Sequence, residues 1–329
     1  MAGVYRVFGS EMSPYSIKVR SYCRYKHVPH VWIRRRPDNE AEFKKFAKLP
    51  LVPTVVTPAD EGLQDSTPIM EYLDQQFPKP TTHPEDPALD FLSVLIEEFG
   101  DEWGNKIMFH HRWWADVDQI ATASVLARSM APDADDATVE NIAKMVRERM
   151  TGRGHFVGSS AATAPLIRGY FENLIEVLDA HLDTRPYLFG ARPAFGDFGL
   201  AAQLYECSID PTCGGILRAR AGHVLDWCYR MLDPRQDGHF EDWGSLRGTL
   251  EPLIEIVGKY FLPWSTANAE ALAEGRETFT VELNGTPYTQ PPQKYHAKSL
   301  KVLRGKYAAV KDRSALDPIL ERNDCRRYL

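Results

Sequence analysis

Val4-Tyr5-Arg6-Val7-Phe8-Gly9, then Ser10-Glu11-Met12, then Ser13-Pro14-Tyr15-Ser16-Ile17-Lys18-Val19, is the stretch that decides the fold. Its first six residues alternate in the manner of a half-buried strand. Ser13-Pro14 is a helix start, with serine in the capping position and proline in the first turn. Tyr15, Ile17, Val19, Tyr22, Cys23 and Tyr25 then lay an apolar face along the helix. Strand, loop and helix follow within twenty residues. Further out, Val28 to Ile33 predicts a second strand, Asn39 to Lys48 a helix and Thr54 to Thr57 a third strand. Gly62 to Gln64 predicts a short fourth strand, and Asp65-Ser66 opens another helix through Ile69, Met70, Tyr72 and Leu73. The order implies a small α/β layer domain over residues 1–79.

Pro78, Pro80, Pro84 and Pro87 interrupt regular structure and mark a linker over residues 80–87. Beyond it the apolar period becomes helical. Ala88 to Met130, Ala137 to Met150, Ala164 to Leu182, Asp197 to Ser208, Ile216 to Met231 and Leu250 to Leu262 predict an all-α domain of about six helices over residues 88–264. Residues 265–329 form an extension. There, Thr278 to Leu283 and Thr286 to Thr289 flank Asn284-Gly285, the pair that best supports a type I′ hairpin. Tyr295 to Val310 predicts a basic amphipathic helix whose Leu300, Val302, Leu303 and Tyr307 stripe is expected to pack on the helical domain.

Composition narrows the functional classes. A net charge of −6 over 329 residues leaves no basic footprint for nucleic acid or an anionic membrane, and Arg34-Arg35-Arg36 reads as a solvated strand end. The first twenty residues carry Arg6, Glu11, Lys18 and Arg20 in place of a signal-peptide core, so a cytoplasmic location is expected. Cys23, Cys207, Cys213, Cys228 and Cys325 are scattered, which fits reduced thiols rather than disulfides, and neither they nor the ten histidines have metal-ligand spacing. No metal is expected.

Ser13-Pro14-Tyr15-Ser16 sits where thioredoxin-like proteins carry Cys-x-x-Cys, so dithiol chemistry is excluded there, and Cys23, ten residues into the helix, cannot replace it. Leu51-Val52-Pro53-Thr54 predicts a turn before the third strand, with a cis bond as one form of it, that frees the Val52 N–H and C=O for an extended peptide. Asp65-Ser66 at a helix start can hold an amino-acid end, the carboxylate taking an ammonium and the hydroxyl with the helix terminus taking a carboxylate. Plain N-capping is the alternative reading at both Ser13 and Asp65.

Taken with Tyr187-Leu188-Phe189-Gly190 and Phe195-Gly196-Asp197-Phe198, these motifs resemble the cytosolic glutathione transferase (GST) family, with a serine-type, omega-like N-terminal motif, over roughly residues 4–262. The resemblance implies a thioredoxin-like α/β N-terminal domain plus an all-α C-terminal domain, a cytosolic homodimer, and glutathione as co-substrate in detoxifying conjugation. It further implies a cis Pro53, Val52 pairing with the cysteinyl backbone, and Asp65 and Ser66 holding the γ-glutamyl end. Two departures stand out. Ala194 replaces the usual Ser or Thr three residues before Asp197, the loss of one cap hydroxyl worth about 1 kcal/mol, and the tail from about Ser265 exceeds the usual family length.

A glutathione thiol with an ordinary pKa near 8.5 needs about 2.7 kcal/mol of thiolate stabilisation to drop by about two units. A hydroxyl hydrogen bond to the charge supplies roughly 1.5–3 kcal/mol and a helix N-terminus about 0.3–1 kcal/mol more. Ser13 is the expected donor, with Ser10, Tyr5 and Ser16 as competitors. The electrophile is expected to be small, apolar or aromatic, against Phe109, His110, Trp113 and Trp114, which could equally be a packed core stripe. Arg34 to Arg36, Lys45 and Lys48 are candidate partners of the glycine carboxylate. The competing readings are a non-catalytic binding or assembly module on this fold, and a glutathione-dependent reductase or ether-cleaving enzyme.

Overall fold

The structure is a computed structural model that describes residues 3–329. Strand β1 (Tyr5–Gly9) lies between β2 (His30–Arg34), to which it is parallel, and β3 (Thr54–Val56), to which it is antiparallel. Strand β4 (Gly62–Gln64) pairs antiparallel with β3, giving the order β2-β1-β3-β4. Helices α1 (Pro14–Tyr25), α2 (Glu40–Phe46) and α3 (Ser66–Gln76) connect and follow these strands. The alternation in β1 explains the layering. Val7 joins Val19, Tyr22, Val55, Ile69 and Leu73 in the main core, whereas Phe8 points the other way and packs with Phe43 of α2 and Val56. Both faces of the sheet are thus covered, as the thioredoxin-like expectation requires.

Residues 77–86 carry no helix or strand, and the helical part begins at α4 (Pro87–Phe99), where Asp86 caps the first turn by accepting from the Ala88 N–H at 2.7 Å. The helix expected over 88–130 is in fact three pieces. A π-helical turn, Gly100–Gly104, joins α4 to α5 (Asn105–Trp114), and an extended Ala115 (φ −86°, ψ 144°) separates α5 from α6 (Asp116–Met130). The Gln119 amide makes that break tolerable by donating to the Trp113 and Trp114 carbonyls at 2.9 and 3.0 Å. Helices α7 (Asp136–Thr151), α8 (Ala164–Leu182) and α9 (Phe195–Ile209) follow. The helix expected over 216–231 also splits, at Ala221, into α10 (Pro211–Arg220) and α11 (Gly222–Arg230).

Helix α12 (Trp243–Ile256) starts seven residues before the expected Leu250, because Asp242 caps it by accepting from the Ser245 N–H at 2.9 Å. Gly244 and Gly248 thin the apolar pattern there. A second π turn, Val257–Phe261, leads into α13 (Leu262–Ala273). One core runs through both parts of the molecule. Helix α1 lies on α9, with the Tyr22 ring edge-on to Phe198 at 4.9 Å and to Phe195 at 6.2 Å.

In the extension, β5 (Phe279–Leu283) and β6 (Thr286–Gln290) form the expected hairpin, and Asn284 and Gly285 have the two positive φ values, 49° and 75°, that a type I′ turn needs. The buried Tyr288 ring packs over Gly158, where a Cβ would come within 2.3 Å of it at φ +70°. Helices α14 (Lys294–Ala309) and α15 (Leu316–Arg322) return along α13 and α4. Leu300, Leu303 and Tyr307 are buried there as expected, but Val302 is 43% exposed and is not part of the packed stripe. All five cysteines are buried and unbridged. No described helix is long and apolar enough to cross a membrane.

Candidate functional site

Ser13 stands at the C-terminal end of β1, where the β1–α1 loop delivers the first turn of α1. Its Oγ accepts from the Ser16 N–H at 3.3 Å, so it does cap the helix, and the hydroxyl proton remains available to a ligand. Capping and donation are compatible in one hydroxyl. Among its competitors, Ser16 is fully buried inside the helix. The Tyr5 ring is buried against Phe77, and burial pushes its phenol up to about 12. Ser10 is half-buried, accepting from the Met12 N–H at 3.2 Å. The loop therefore presents Ser13 and Ser10.

The Val52-Pro53 bond is cis, and no described residue pairs with the Val52 N–H or C=O. Gln64 instead ties the preceding residues, donating to Leu49 O at 2.8 Å and Leu51 O at 3.1 Å. At the start of α3, Asp65 has φ 81° and ψ 122°, a conformation that favours glycine, and its carboxylate makes no cap hydrogen bond to the helix. The capping reading of Asp65 fails on this geometry. Its Oδ1 accepts from the Tyr295 phenol of α14 at 2.7 Å, and burial pushes its carboxyl up from the usual aspartate value. Ser66 Oγ points inward, where it donates to Asp101 Oδ2 at 3.2 Å.

Beneath these residues lies a charge cluster that sequence reasoning missed. The Lys18 ammonium is wholly buried among Glu97, Asp101 (2.6 Å), Thr67 Oγ1 (3.0 Å) and Ser66 Oγ (3.3 Å). Burial acts to lower its pKa, but Asp101 and Glu97 outweigh that and raise it. The cluster locks α1, α3 and the α4–π turn junction into one unit. Arg112 does the same for the loop: buried, it pairs with Glu206 and Asp210 at 2.7 Å each and donates to the Met12 carbonyl at 3.2 Å, next to Ser13. Only the partners, far away in sequence, could have marked Lys18 and Arg112 as more than helix charges.

The aromatic residues of α5 divide between two sides. Asn105, donating to the Tyr15 phenol at 3.0 Å, and Arg112 reach the β1–α1 segment, and half-buried Phe109 shares their face by helical spacing. His110 bonds Ser159 Oγ at 2.7 Å and stacks with Trp114 on the other side. Trp114 lines a separate cavity of about 290 Å³ with His111, Arg168, Phe171 and Ile216. Trp113 is buried. Of the four aromatics, then, half-buried Phe109 lies on the face of α5 that reaches Ser13's loop, with the buried Trp113 ring one turn on at 6.5 Å from it.

The candidate cations also sort themselves. Arg34 pairs with Glu11 at 2.8 Å, and Arg35 is held by Glu40 at 2.9 Å and over the Phe43 ring at 4.1 Å, so the strand end is tied down and not merely solvated. Lys45 and Lys48 are exposed and form no ion pair with a described residue. In the helical part, Asp197 holds the Tyr187-to-Gly190 segment in place of a full capping box. Its carboxylate accepts at 2.9 Å from the N–H groups of Leu188 and Ala194 and from the Trp227 indole. No group of three His, Cys, Asp or Glu placed to hold a metal ion occurs among the described residues.

Residues 7–81 match the family model of the glutathione S-transferase N-terminal domain, and residues 133–230 match that of the C-terminal domain, together more than half of the chain. Among solved structures, the chain is similar to the β-etherase LigF from Sphingobium sp. strain SYK-6, with TM-score 0.51 and 17% identity over 75% of this chain and 98% of that one. A glutathione S-transferase from Rhodospirillum rubrum F11 has TM-score 0.46 and 15% identity over 90% and 99%. Another, from Methylobacillus flagellatus KT with glutathione bound, has TM-score 0.41 and 18% identity over 70% and 96%. At such identities the likeness is one of fold. No curated protein matches the sequence.

Proposed function

Because the chain belongs to the glutathione S-transferase family, we propose that it binds glutathione along the edge formed by Ser13, Val52-Pro53 and Asp65-Ser66 and transfers it to a small apolar or aromatic electrophile. The γ-glutamyl ammonium meets Asp65, the γ-glutamyl carboxylate meets the N-terminus of α3 at Ser66, and the cysteinyl backbone pairs with Val52. Lys45 or Lys48 receives the glycine carboxylate. The thiol then reaches Ser13, whose hydroxyl donates to the sulfur.

Each step has a physical source. The proton leaves the thiol for solvent, and Ser13 with the α1 N-terminus stabilises the anion left behind. The sulfur lone pair forms a C–S bond to the electrophilic carbon, and the displaced group, or the electron pair of an opened ring or double bond, leaves with the charge. Phe109, half-buried on the face of α5 that carries Asn105 and Arg112, offers apolar surface for the electrophile. Lys18 and Arg112 are positioning residues: they fix α3 and the Met12 carbonyl, and so the distance between the two ends of the bound tripeptide.

The observation that supports this reading best is Asp65. An aspartate held at φ 81° without capping its own helix is backbone strain with no local structural return. The test is retention on immobilised glutathione followed by turnover assays over aryl halides, epoxides, disulfides and aryl ethers. Retention and conjugation of at least one aryl electrophile are expected. Retention without any turnover would leave a binding module, and no retention would overturn the proposal.

A further inference from the structure

The bond between Tyr295 and Asp65 joins residues 230 positions apart and brings the extension, which lies outside both matched family models, onto the residue expected to hold an ammonium. The contact is not isolated. Ser299 donates to buried Glu98, Lys306 pairs with Glu71 of α3 at 2.6 Å, and His296 meets Glu102, so α14 is fastened to α3 and to the α4–π turn junction along about three turns. Between α14 and α3 remains a cleft of about 110 Å³ lined by Asp65, Thr67, Glu98, Tyr295, Lys298 and Ser299. Lys298 is exposed, forms no ion pair with a described residue, and lies near enough for its charge to pull on Asp65.

Charge bookkeeping identifies what this cleft suits. Glu71 is neutralised by Lys306, and burial raises the Glu98 carboxyl well above its usual value, which favours its uncharged form. Asp65 and Lys298 are left as one negative and one positive group on the same opening. Together they complement a zwitterion, the free α-amino and α-carboxylate pair of an amino acid. We infer that the C-terminal extension completes the amino-acid subsite of the glutathione site: Tyr295 holds the Asp65 carboxylate in place for the γ-glutamyl ammonium, and Lys298 of the same helix pairs with the γ-glutamyl carboxylate. This rests on the proposed glutathione binding and adds that the site is assembled from both ends of one chain. Tyr295 is a positioning residue and Lys298 a contact residue.

The experiment measures dissociation constants of the full chain for glutathione and for cysteinylglycine, which lacks the γ-glutamyl group. Both Tyr295 and Lys298 are exposed, so Tyr295→Phe and Lys298→Met are conservative surface changes and their folding is checked by thermal melting. The wild type is expected to bind glutathione at least tenfold more tightly than cysteinylglycine. Each variant is expected to lose about five- to tenfold in glutathione affinity with cysteinylglycine binding unchanged, which a general structural effect would not produce. Unchanged glutathione binding in both variants overturns the inference alone. Tighter glutathione binding in Tyr295→Phe also overturns it, because α14 would then be a plug competing for Asp65. Absence of glutathione binding by the wild type overturns the inference together with the proposed function.

Discussion

The Lys18 ammonium lies 2.6 Å from the Asp101 carboxylate, with both side chains out of solvent, so the helix begun by Ser13 is pinned to the helical domain about one turn after it starts. Removing one charge from such a cluster strands the others. Lys18→Met is expected to cost about 3–5 kcal/mol, read by urea denaturation. A Lys18→Met, Glu97→Gln, Asp101→Asn triple variant should recover most of that loss. Equal stability of the single and triple variants would show that the cluster is not electrostatically coupled.

Ser13→Ala separates the two roles of one hydroxyl. Loss of the cap should cost about 1 kcal/mol in stability. Loss of the thiolate donor should raise the pKa of bound glutathione by about one to two units, seen in its thiolate absorbance, since each unit corresponds to about 1.4 kcal/mol. Turnover at pH 6.5 should then fall about 10- to 100-fold and approach the wild type above pH 9, where the thiol ionises without help. An unshifted titration assigns Ser13 to capping alone.

Substitution at Asp65 should dissociate binding from stability. Asp65→Asn is expected to weaken glutathione about tenfold, and Asp65→Gly at least as much. Since the carboxylate caps nothing and glycine accepts φ 81°, the glycine variant should melt no lower than about 1 kcal/mol below the wild type. A large loss of stability in Asp65→Gly would mean that the residue is held for structure.

Lys106 offers a pH test that does not act through Ser13. Its ammonium has no hydrogen-bond partner among the described residues and sits 3.8 Å from the centre of the Trp264 ring, and burial pushes its pKa down to about 7. A lysine depressed in the folded state binds fewer protons there than in the unfolded chain, so its contribution to stability rises with pH between about 7 and the ordinary value near 10.4. Lys106→Met should therefore stabilise the protein by about 1–3 kcal/mol at pH 6.5, an advantage that shrinks towards pH 10. A constant difference across that range would contradict it.

Much of this could be read locally. Ser13-Pro14, Val52-Pro53, Asp65-Ser66 and Asn284-Gly285 are short signals whose conformational demands are met by the residues themselves, and the alternation of Val7 and Phe8 sets the two faces of the sheet. What escaped is non-local. Lys18 and Glu97 are 79 residues apart, Arg112 and Asp210 are 98 apart, and Tyr295 and Asp65 are 230 apart; each reads alone as a solvated helix charge or an incidental phenol. The break at Ala115 has no Gly or Pro to announce it, since the cost is met by the Gln119 amide from the following helix. Phe109, His110, Trp113 and Trp114 read in the sequence as one aromatic surface at helical spacing, but helical rotation carries His110 and Trp114 to the other side of α5.

The five buried cysteines have a further meaning if the protein handles thiol-seeking compounds as proposed. Burial pushes the Cys23 and Cys325 thiols up to about 12, so at neutral pH they are neither exposed nor anionic. With glutathione bound as proposed, its thiol would be the one accessible thiol, since all five cysteines are buried. On the proposed function, the cysteines of the folded chain would thereby be shielded from alkylation by its substrates and exposed to it only on unfolding.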